Sequence, residues 1–352
     1  MRVASSVLGD AAVLAFVFAG PLELYDSWIS SLGLPFILSG VLFLLGLVYA
    51  GFALSLPSSI WRVFHIEKRY GFGRMTPGLF LRDSAKALLL TTVLSSALVG
   101  VGLYIVEKSP GLWWLWTWAL FLVFGVFFIY ISPLLIEPIF NRFEPIRDVA
   151  LTAGIREVAG KAGIRVEKVL KMDASRRTAH TNAYFTGLGG VKRIVLFDTL
   201  IERLGPDEIK SVIAHEAGHW KRRHIVKRLA LIETLGLFLL YASHLALKDG
   251  LPGSAFGLEG GSFFSGAALL VFLWGIAAWP LRPLLLYLSR KDEFDADRYA
   301  SSLTGEPGAM AGAIRKLSLD NLSNLFPHPL YTALHYSHPP AAERIRRLQG
   351  GD

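Results

Sequence analysis

The chain of 352 residues contains no cysteine, so it has neither disulfide bonds nor a metal site built on thiolate ligands. Any bound metal must therefore use histidine and carboxylate ligands. Charge is also scarce: only 18% of the residues are Asp, Glu, Lys or Arg, whereas 53% are hydrophobic. Soluble domains contain about 45–50% apolar residues, so this composition argues against an ordinary soluble protein.

Charged residues are absent, or limited to one, in five long apolar runs. A helix needs about 20 such residues to cross the hydrocarbon core of a bilayer. The five runs are Leu34 to Leu56, Ala85 to Val106, Leu112 to Ile136, Leu229 to Leu247 and Phe263 to Leu281, the last continuing past Arg282 to Leu288. A single run of this kind also fits a buried core helix, but five of them predict an integral membrane protein.

A sixth candidate, Val7 to Leu22, is shorter and contains Asp10. Its length and position also fit a secretory signal peptide. No clear cleavage site with small residues follows it, so we count it as a span. The sequence therefore predicts about six membrane spans.

Lys and Arg residues alternate strictly between the segments that join these runs. Basic segments are Pro57–Arg82, Glu137–Arg228 and the tail from Arg290, whereas Glu23–Gly33, Glu107–Gly111 and Lys248–Ser262 hold at most one Lys or Arg each. Basic loops stay in the cytoplasm, so the pattern predicts both termini on the cytoplasmic side. The net charge of +8 indicates contact with anionic lipid headgroups, and no nucleic-acid-binding motif is present.

The most specific motif is H-E-x-x-H at residues 215–219. On a helix, His215 and His219 lie on one face and can bind one zinc ion together. Glu216 lies beside them, where it can take a proton from a water that the metal activates. The flanking residues favour a helix, because Pro206 marks its start and basic residues collect at its end. A polar helix face with two incidental histidines is the alternative.

A catalytic zinc site has three protein ligands and an open position, so a third ligand must come from elsewhere in the chain. The stretch K-D-E-F-D-A-D at residues 291–297 places Glu293 and Asp297 on one helical face. We predict that Glu293 is the third zinc ligand and that Asp297 orients a ligand histidine through its ring N–H. A solvated acidic helix start is the alternative, and Asp292 and Asp295 are predicted to be ordinary surface charges.

Several sequence blocks resemble, in the same order, those of the type I CAAX prenyl proteases, zinc metallopeptidases embedded in the membrane. The blocks are E-K-R-Y-G-F-G-R-M-T (67–76), P-I-F-N-R-F-E-P (138–145), T-N-A-Y-F-T-G (181–187), K-R-I-V-L-F-D-T-L (192–200), A-H-E-A-G-H-W (214–220), S-R-K-D-E-F-D-A-D (289–297) and Y-S-H-P-P-A-A-E-R-I (336–345). Many zinc peptidases share H-E-x-x-H, whereas the blocks around Gly71, Asn182 and His338 are much more specific.

The resemblance implies the metal site that the motifs predict. His215, His219 and Glu293 match the family's zinc ligands, and Glu216 matches its general base. The implied cofactor is one zinc ion. The family usually has seven spans and a longer N-terminus, and this sequence begins near the family's second span, so six are expected. Whether six spans enclose the family's large internal chamber is left open.

The resemblance also implies substrate-binding residues. Asn182 and Tyr184 belong to the strand that holds the substrate backbone. His338 and Arg344 match residues near the scissile bond that bind the substrate or stabilise the oxyanion. His338 could instead be a loop residue before two prolines, and His335, one helical turn earlier, is an alternative partner. The remaining histidines are predicted to be structural or surface residues: His65, His180, His224, His244 and His328.

The segment between the fourth and fifth spans carries an α/β pattern. Val149–Ala162 predicts a helix, and Val166–Met172 predicts a strand. Asn182–Thr186 and Arg193–Phe197 predict a strand pair, because glycines lie between them. The edge Thr181–Thr186 could bind an extended peptide through backbone hydrogen bonds.

The predicted fold class is mainly α: a polytopic α-helical membrane protein with a cytoplasmic α/β metallopeptidase domain of the zincin type. We predict four regions. They are N-terminal spans, about four in number (1–136), a cytoplasmic segment with the zinc helix (137–228), two further spans (229–288) and a cytoplasmic C-terminal segment that completes the zinc site (289–352).

The sequence predicts a zinc-dependent endopeptidase that cleaves peptides or proteins at the cytoplasmic membrane face. The resemblance implies substrates of the prenylated CAAX type. The expected partners are these substrates, with or without a lipid, and membrane lipids, but not nucleic acid. Two alternatives stay open: a heat-shock-type membrane quality-control metalloprotease, and a non-catalytic zinc-binding scaffold or transporter, which would not need Glu216.

Overall fold

The computed structural model describes residues 9, 11, 13–187, 191–258 and 260–350, and most of them are helical. The helices are α1 (Pro21–Ser31), α2 (Phe36–Trp61), α3 (Pro77–Lys108), α4 (Trp113–Ile131), α5 (Glu137–Phe140), α6 (Val149–Lys161), α7 (Asp198–Arg203), α8 (Pro206–Lys221), α9 (His224–Lys248), α10 (Leu251–Phe256), α11 (Phe263–Ala277), α12 (Arg282–Thr304), α13 (Pro307–Asp320), α14 (Pro329–His335) and α15 (Ala341–Leu348). Turns of π-helix follow α2 and α4 at Arg62–Glu67 and Ser132–Ile136, and 3-10 turns lie at Ala174–Arg176 and Trp279–Leu281. The strands are β1 (Phe143–Pro145), β2 (Arg165–Met172), β3 (Ala183–Thr186) and β4 (Val191–Phe197).

Five helical segments in the described part of the chain are long and apolar enough to cross a membrane. They are Phe36–Glu67, Pro77–Lys108, Trp113–Phe140, His224–Lys248 and Phe263–Thr304. These segments overlap all five charge-poor runs, two of which begin one or two residues before the helix, so the predicted span-length helices are confirmed there. Helices satisfy their backbone hydrogen bonds internally, as a hydrocarbon environment requires. At most 17% of any apolar window is buried inside the protein, so most of these side chains are not covered by the rest of the chain.

The sixth predicted span, Val7 to Leu22, lies partly outside the described residues. Residues 13–18 are helical, and Ala19 and Gly20 interrupt the helix before α1. Gly20 has a φ of 95°, a left-handed conformation that glycine adopts without strain. A total of six spans therefore stays a prediction.

The chain divides into two compact units. The first consists of Met1–Ile66, Pro77–Val126 and Leu231–Trp279. Its apolar core is formed by Leu22, Ile29, Phe43, Leu103, Leu258, Phe264 and Leu269. The buried carboxylate of Asp26 accepts hydrogen bonds from the backbone N–H of Ser262 at 2.8 Å and from Oγ of Ser265 at 3.0 Å. These bonds tie α1 to the start of α11.

The second unit consists of Glu67–Thr76, Phe127–Ala230 and Pro280–Asp352. Its strands, within the described residues, form one sheet in the order β1-β2-β4-β3. The central strands β2 and β4 are parallel, and the edge strands β1 and β3 are each antiparallel to their neighbour. Helices α6 and α8 cover the sheet with a core that includes Ile155, Ile194, Leu196 and Ile213. This core fixes α8, which carries the H-E-x-x-H motif.

The predicted elements of this unit are present with small shifts at their ends. Helix α6 ends at Lys161, and β2 begins at Arg165. The strand predicted from Asn182 begins at Ala183, and Oδ1 of Asn182 accepts a hydrogen bond from the backbone N–H of Ala183 at 2.9 Å. The short strand β1 and the C-terminal helices α13 to α15 were not predicted.

Candidate metal centre and active site

Helix α8 places the H-E-x-x-H motif against the protein core. Its start is capped, because Oε2 of Glu208 accepts a hydrogen bond from the backbone N–H of Gly205 at 2.7 Å. Ile209 and Ile213 are buried on the core side of the helix. His215 is also buried, so the first histidine of the motif belongs to a packed face and not to a solvated one.

Helix α12 approaches α8 closely because the residues at the contact are small. A Cβ atom on Gly218 would lie only 3.0 Å from Cα of Ala296, so a larger residue would separate the helices. Ala296 and Ala300 of α12 are fully buried. This close approach brings Glu293 and Asp297 of α12 to the histidines of α8.

Three side chains converge at the predicted zinc site. Nε2 of His215 lies 3.2 Å from Nε2 of His219. The carboxylate of Glu293 lies 3.5 Å from the first nitrogen and 3.3 Å from the second. A tetrahedral zinc ion with bonds of about 2.0–2.1 Å holds its ligand atoms about 3.3 Å apart. The three residues therefore fit a zinc ion, and they form the candidate metal-binding group of the described chain.

Asp297 and Arg344 form an ion pair behind His215. Oδ1 of Asp297 lies 2.9 Å from Nδ1 of His215, which leaves Nε2 of the ring facing the metal position. Burial lowers the pKa of His215, but the carboxylates of Asp297 and Glu293 outweigh this effect and raise it to about 9. A metal ion would therefore have to displace a proton from this ring at neutral pH.

Arg344 is held on both sides of its guanidinium group. Nε and Nη2 each donate a hydrogen bond to Asp297 at 2.7 Å, and Nη1 lies 3.5 Å from Glu293. The arginine therefore fixes Asp297, a role that the sequence did not indicate. Its role near the scissile bond stays a prediction.

Glu216 follows the first ligand but does not belong to the ligand group. Burial raises the pKa of its carboxyl group above the ordinary value of 4.5. A carboxylate with a raised pKa is a stronger base near neutral pH. The side chain therefore has the environment expected of a general base next to the metal site.

His338 is the histidine of the C-terminal segment that reaches the metal site. Its Nδ1 lies 2.9 Å from Oε2 of Glu293, while 66% of the side chain stays exposed. His335 packs instead against Tyr331, with ring centroids 4.6 Å apart. The structure therefore brings His338 to the ligand group in preference to His335, and the role of His338 near the scissile bond stays a prediction.

Comparisons with known proteins assign the chain to a family. Residues 145–351 match the family described as Peptidase family M48. The chain belongs to this family. Residues 1–142 match the description "CAAX prenyl protease N-terminal, five membrane helices". The protein is thus a multi-pass membrane metallopeptidase of the CAAX prenyl protease 1 family.

Individual relatives agree with this M48 assignment. The CAAX prenyl protease 1 homolog of Arabidopsis thaliana is 34% identical over 99% of this chain and 83% of its own length. CAAX prenyl protease 1 of Saccharomyces cerevisiae is 35% identical over 83% of this chain and 68% of its own length. The crystal structure of S. mikatae Ste24p matches with a TM-score of 0.88 at 28% identity, covering 99% of this chain and 86% of that one. The resemblance inferred from the sequence blocks is confirmed.

The candidate substrate edge of this M48 peptidase is strand β3. It pairs with β4, with Tyr184 opposite Val195, and forms an edge of the sheet as described. Asn182 is exposed just before the strand, and its carbonyl accepts a hydrogen bond from the backbone N–H of Phe197 at 3.0 Å. The hydroxyl of Tyr184 donates to the carboxylate of Glu137. Burial and this carboxylate raise the pKa of Tyr184, so the phenol stays protonated.

The block at residues 67–76 lies against the segment that leads into β3. Gly73 forms a β-bridge with Thr178, and the ring of Phe72 stacks on His180 with centroids 4.3 Å apart. Nδ1 of His180 is also hydrogen-bonded to Oδ1 of Asn321 at 2.7 Å. His180, predicted to be structural or on the surface, therefore connects two distant segments next to the substrate edge.

Sequence reasoning missed His224. This residue was predicted to be structural or on the surface, yet its Nδ1 lies 3.0 Å from Nδ1 of the candidate ligand His219. Asp292, predicted to be an ordinary surface charge, lies 3.5 Å from Nε2 of His224 and accepts a hydrogen bond from Arg228 at 3.4 Å. The prediction for Asp292 was wrong. The five-residue spacing between His219 and His224 was the available sequence signal. It did not indicate a contact between the two rings, because helix α8 ends between them.

Proposed function

We propose that this chain is a zinc-dependent endopeptidase that hydrolyses peptide bonds of prenylated CAAX-type substrates at the cytoplasmic membrane face. The observation that carries the proposal is the convergence of His215, His219 and Glu293 on one position, with Glu216 beside it. Their ligand atoms are separated by 3.2–3.5 Å, which suits a tetrahedral zinc ion. Three protein ligands would leave the fourth coordination position of zinc open for water or substrate.

In the proposed reaction, each of these residues has one task. A zinc ion held by the three ligands would supply a Lewis acid that lowers the pKa of water to about 7 and polarises a carbonyl group. Glu216 accepts a proton from the attacking water and delivers it to the leaving amine. Asp297 holds His215 in the tautomer whose Nε2 faces the metal position.

His338 and Arg344 provide a hydrogen-bond donor and a positive charge near the scissile carbonyl. The exposed ring of His338 lies beside Glu293, where it can donate a hydrogen bond to a substrate oxygen. Arg344 adds a fixed charge 3.5 Å from Glu293. Donors that are already oriented stabilise a developing oxyanion more effectively than mobile water does.

The edge Thr181–Thr186 holds the substrate backbone. An extended peptide that adds to β3 would form main-chain hydrogen bonds, which depend on register and little on side-chain identity. Asn182 is exposed at the start of this edge and is available to the peptide. Tyr184 supports the strand through Glu137.

The substrate class and the orientation rest on separate observations. The relatives from Arabidopsis thaliana and Saccharomyces cerevisiae are named CAAX prenyl protease 1 homolog and CAAX prenyl protease 1. Lipid chains bind membranes with about 0.8 kcal/mol for each buried CH₂ group, so a prenylated substrate would concentrate at the bilayer. The cytoplasmic side is proposed from the alternation of Lys and Arg between loops.

The proposal is tested with purified protein in lipid nanodiscs and two peptides of one sequence, one farnesylated and one unmodified. We expect faster cleavage of the farnesylated peptide, complete loss with a zinc chelator, and recovery when zinc is restored. Equal cleavage of both peptides would favour the quality-control alternative. Stoichiometric zinc without cleavage of either peptide would favour a scaffold or transporter.

A further inference from the structure

A second buried histidine lies behind the metal centre. His224 is the first residue of α9, and only 2% of it is exposed. Its Nδ1 lies 3.0 Å from Nδ1 of His219, and the two rings meet edge to face with centroids 5.1 Å apart. Buried polar atoms are seldom left unpaired, so a hydrogen bond between these nitrogens is expected.

The direction of this hydrogen bond follows from the role of His219. Nε2 of His219 faces His215 and Glu293, so it must be free of a proton when it binds a metal. A neutral imidazole then carries its proton on Nδ1. His219 therefore donates from Nδ1, and Nδ1 of His224 accepts.

The other nitrogen of His224 faces an acidic side chain. Nε2, which must carry the proton in this arrangement, lies 3.5 Å from Oδ1 of Asp292. This distance is longer than an ordinary hydrogen bond, so Asp292 acts mainly through its charge. Nη2 of Arg228 donates to Asp292 at 3.4 Å and to Oγ of Ser289 at 3.3 Å.

The backbone between the two histidines is shaped to bring them together. Arg223 has a φ of 55°, a left-handed conformation that is uncommon for residues other than glycine. Its N–H donates to the carbonyl of Trp220 at 3.0 Å, which closes the turn after α8. The turn directs His224 back onto His219.

We propose that His224 is a positioning residue for the ligand His219. It holds the ring of His219 in the tautomer and orientation in which Nε2 points to the metal, and Asp292 keeps the acceptor nitrogen of His224 free. Asp297 occupies the equivalent position behind His215, so each ligand histidine has its own partner. This inference rests on the zinc-dependent function proposed above.

Two substitutions of His224 separate positioning from packing. His224→Phe keeps a ring of similar size and removes the acceptor. His224→Asn places a carbonyl oxygen near the position of Nδ1 and restores it. The matched control is His244→Phe. His244 lies in the same helix, and its ring packs against the ring of Trp113 with centroids 5.9 Å apart. Asp292→Asn removes the charge behind His224 and keeps the side-chain shape.

The measurement is the zinc affinity of the full-length purified protein, by competition with a fluorescent chelator, together with the unfolding temperature. We expect His224→Phe to weaken zinc binding about 10–100-fold, as loss of an outer partner of a metal ligand does. His224→Asn should recover most of this loss, Asp292→Asn should cause a smaller one, and His244→Phe should match the wild type.

Two results would overturn the inference while leaving the proposed function intact. One is wild-type zinc affinity in both His224→Phe and Asp292→Asn. The other is an equal loss of affinity in His224→Phe and His224→Asn that follows a fall in unfolding temperature, which would show a packing role only. A wild-type protein that binds no zinc would instead overturn the proposed function, and this inference with it.

Discussion

Nε2 of His215 lies 3.2 Å from Nε2 of His219, and both atoms face the carboxylate of Glu293. Ring nitrogens that converge in this way present their lone pairs to the same point. Asp297 contacts Nδ1 of His215, and His224 contacts Nδ1 of His219, so both rings have partners on the side away from that point. Such partners commonly fix metal-binding histidines.

Replacing the carboxylate ligand tests the composition of the metal site. We expect Glu293→Ala to lose zinc during dialysis, because two histidines alone leave the site one ligand short. Zinc content is measured by atomic absorption. The matched control is Asp295→Ala, because Asp295 lies in the same helix and pairs with Arg298 on the surface. Tight zinc binding in Glu293→Ala would remove Glu293 from the ligand set.

The contact between α8 and α12 depends on the absence of a side chain at Gly218. A Cβ there would lie 3.0 Å from Cα and 3.2 Å from the carbonyl oxygen of Ala296, both of them backbone atoms. Gly218→Ala should lower the free energy of unfolding by about 1–3 kcal/mol and weaken zinc binding. Gly160→Ala is the control, since a Cβ at Gly160 meets no atom within 4 Å. A fully stable, zinc-loaded Gly218→Ala variant would contradict this packing.

The pH dependence of activity reports on Glu216. A general base works only when it is ionised, so activity is lost as the pH falls through its pKa. Burial raises this pKa above the ordinary 4.5, so the acid limb of kcat/KM should lie above pH 4.5. The profile is measured with a soluble fluorogenic peptide on zinc-loaded protein. An acid limb at or below pH 4.5 would be inconsistent with a buried carboxylate base.

The pair between Arg344 and Asp297 predicts a difference between two substitutions. Arg344→Ala leaves a buried carboxylate without its partner, and breaking such a pair costs about 3–5 kcal/mol. Arg344→Lys keeps the charge and loses the paired hydrogen bonds, so it should be less destabilising. Chemical denaturation measures both, with Arg347→Lys as a surface control because Arg347 pairs with Glu343 and is half exposed. Equal stability of all three variants would show that the pair does not hold the site.

Local spacing was enough to predict the centre of the site. His215 and His219 are one helical turn apart, and Glu293 and Asp297 repeat that spacing on a second helix, so each pair could be recognised on its own helical face. The charge-poor runs likewise predicted the helices of span length, because hydrocarbon thickness sets their length.

The missed relationships depend on contacts that no local pattern encodes. His224 reaches His219 only because Arg223 adopts a left-handed conformation between two helices. Asp292 looked like a surface charge because its partner His224 lies far away in the sequence. The role of Gly218 becomes visible only when Ala296 is placed against it.

The most direct test of the zinc peptidase mechanism is the substitution Glu216→Gln, measured for zinc content and peptide cleavage on one preparation. Glutamine keeps the shape of the side chain but cannot accept the proton of the attacking water. We expect stoichiometric zinc and a loss of cleavage of about 10²–10⁴-fold or more. Wild-type cleavage by the zinc-loaded variant would contradict the assignment of Glu216 as the general base.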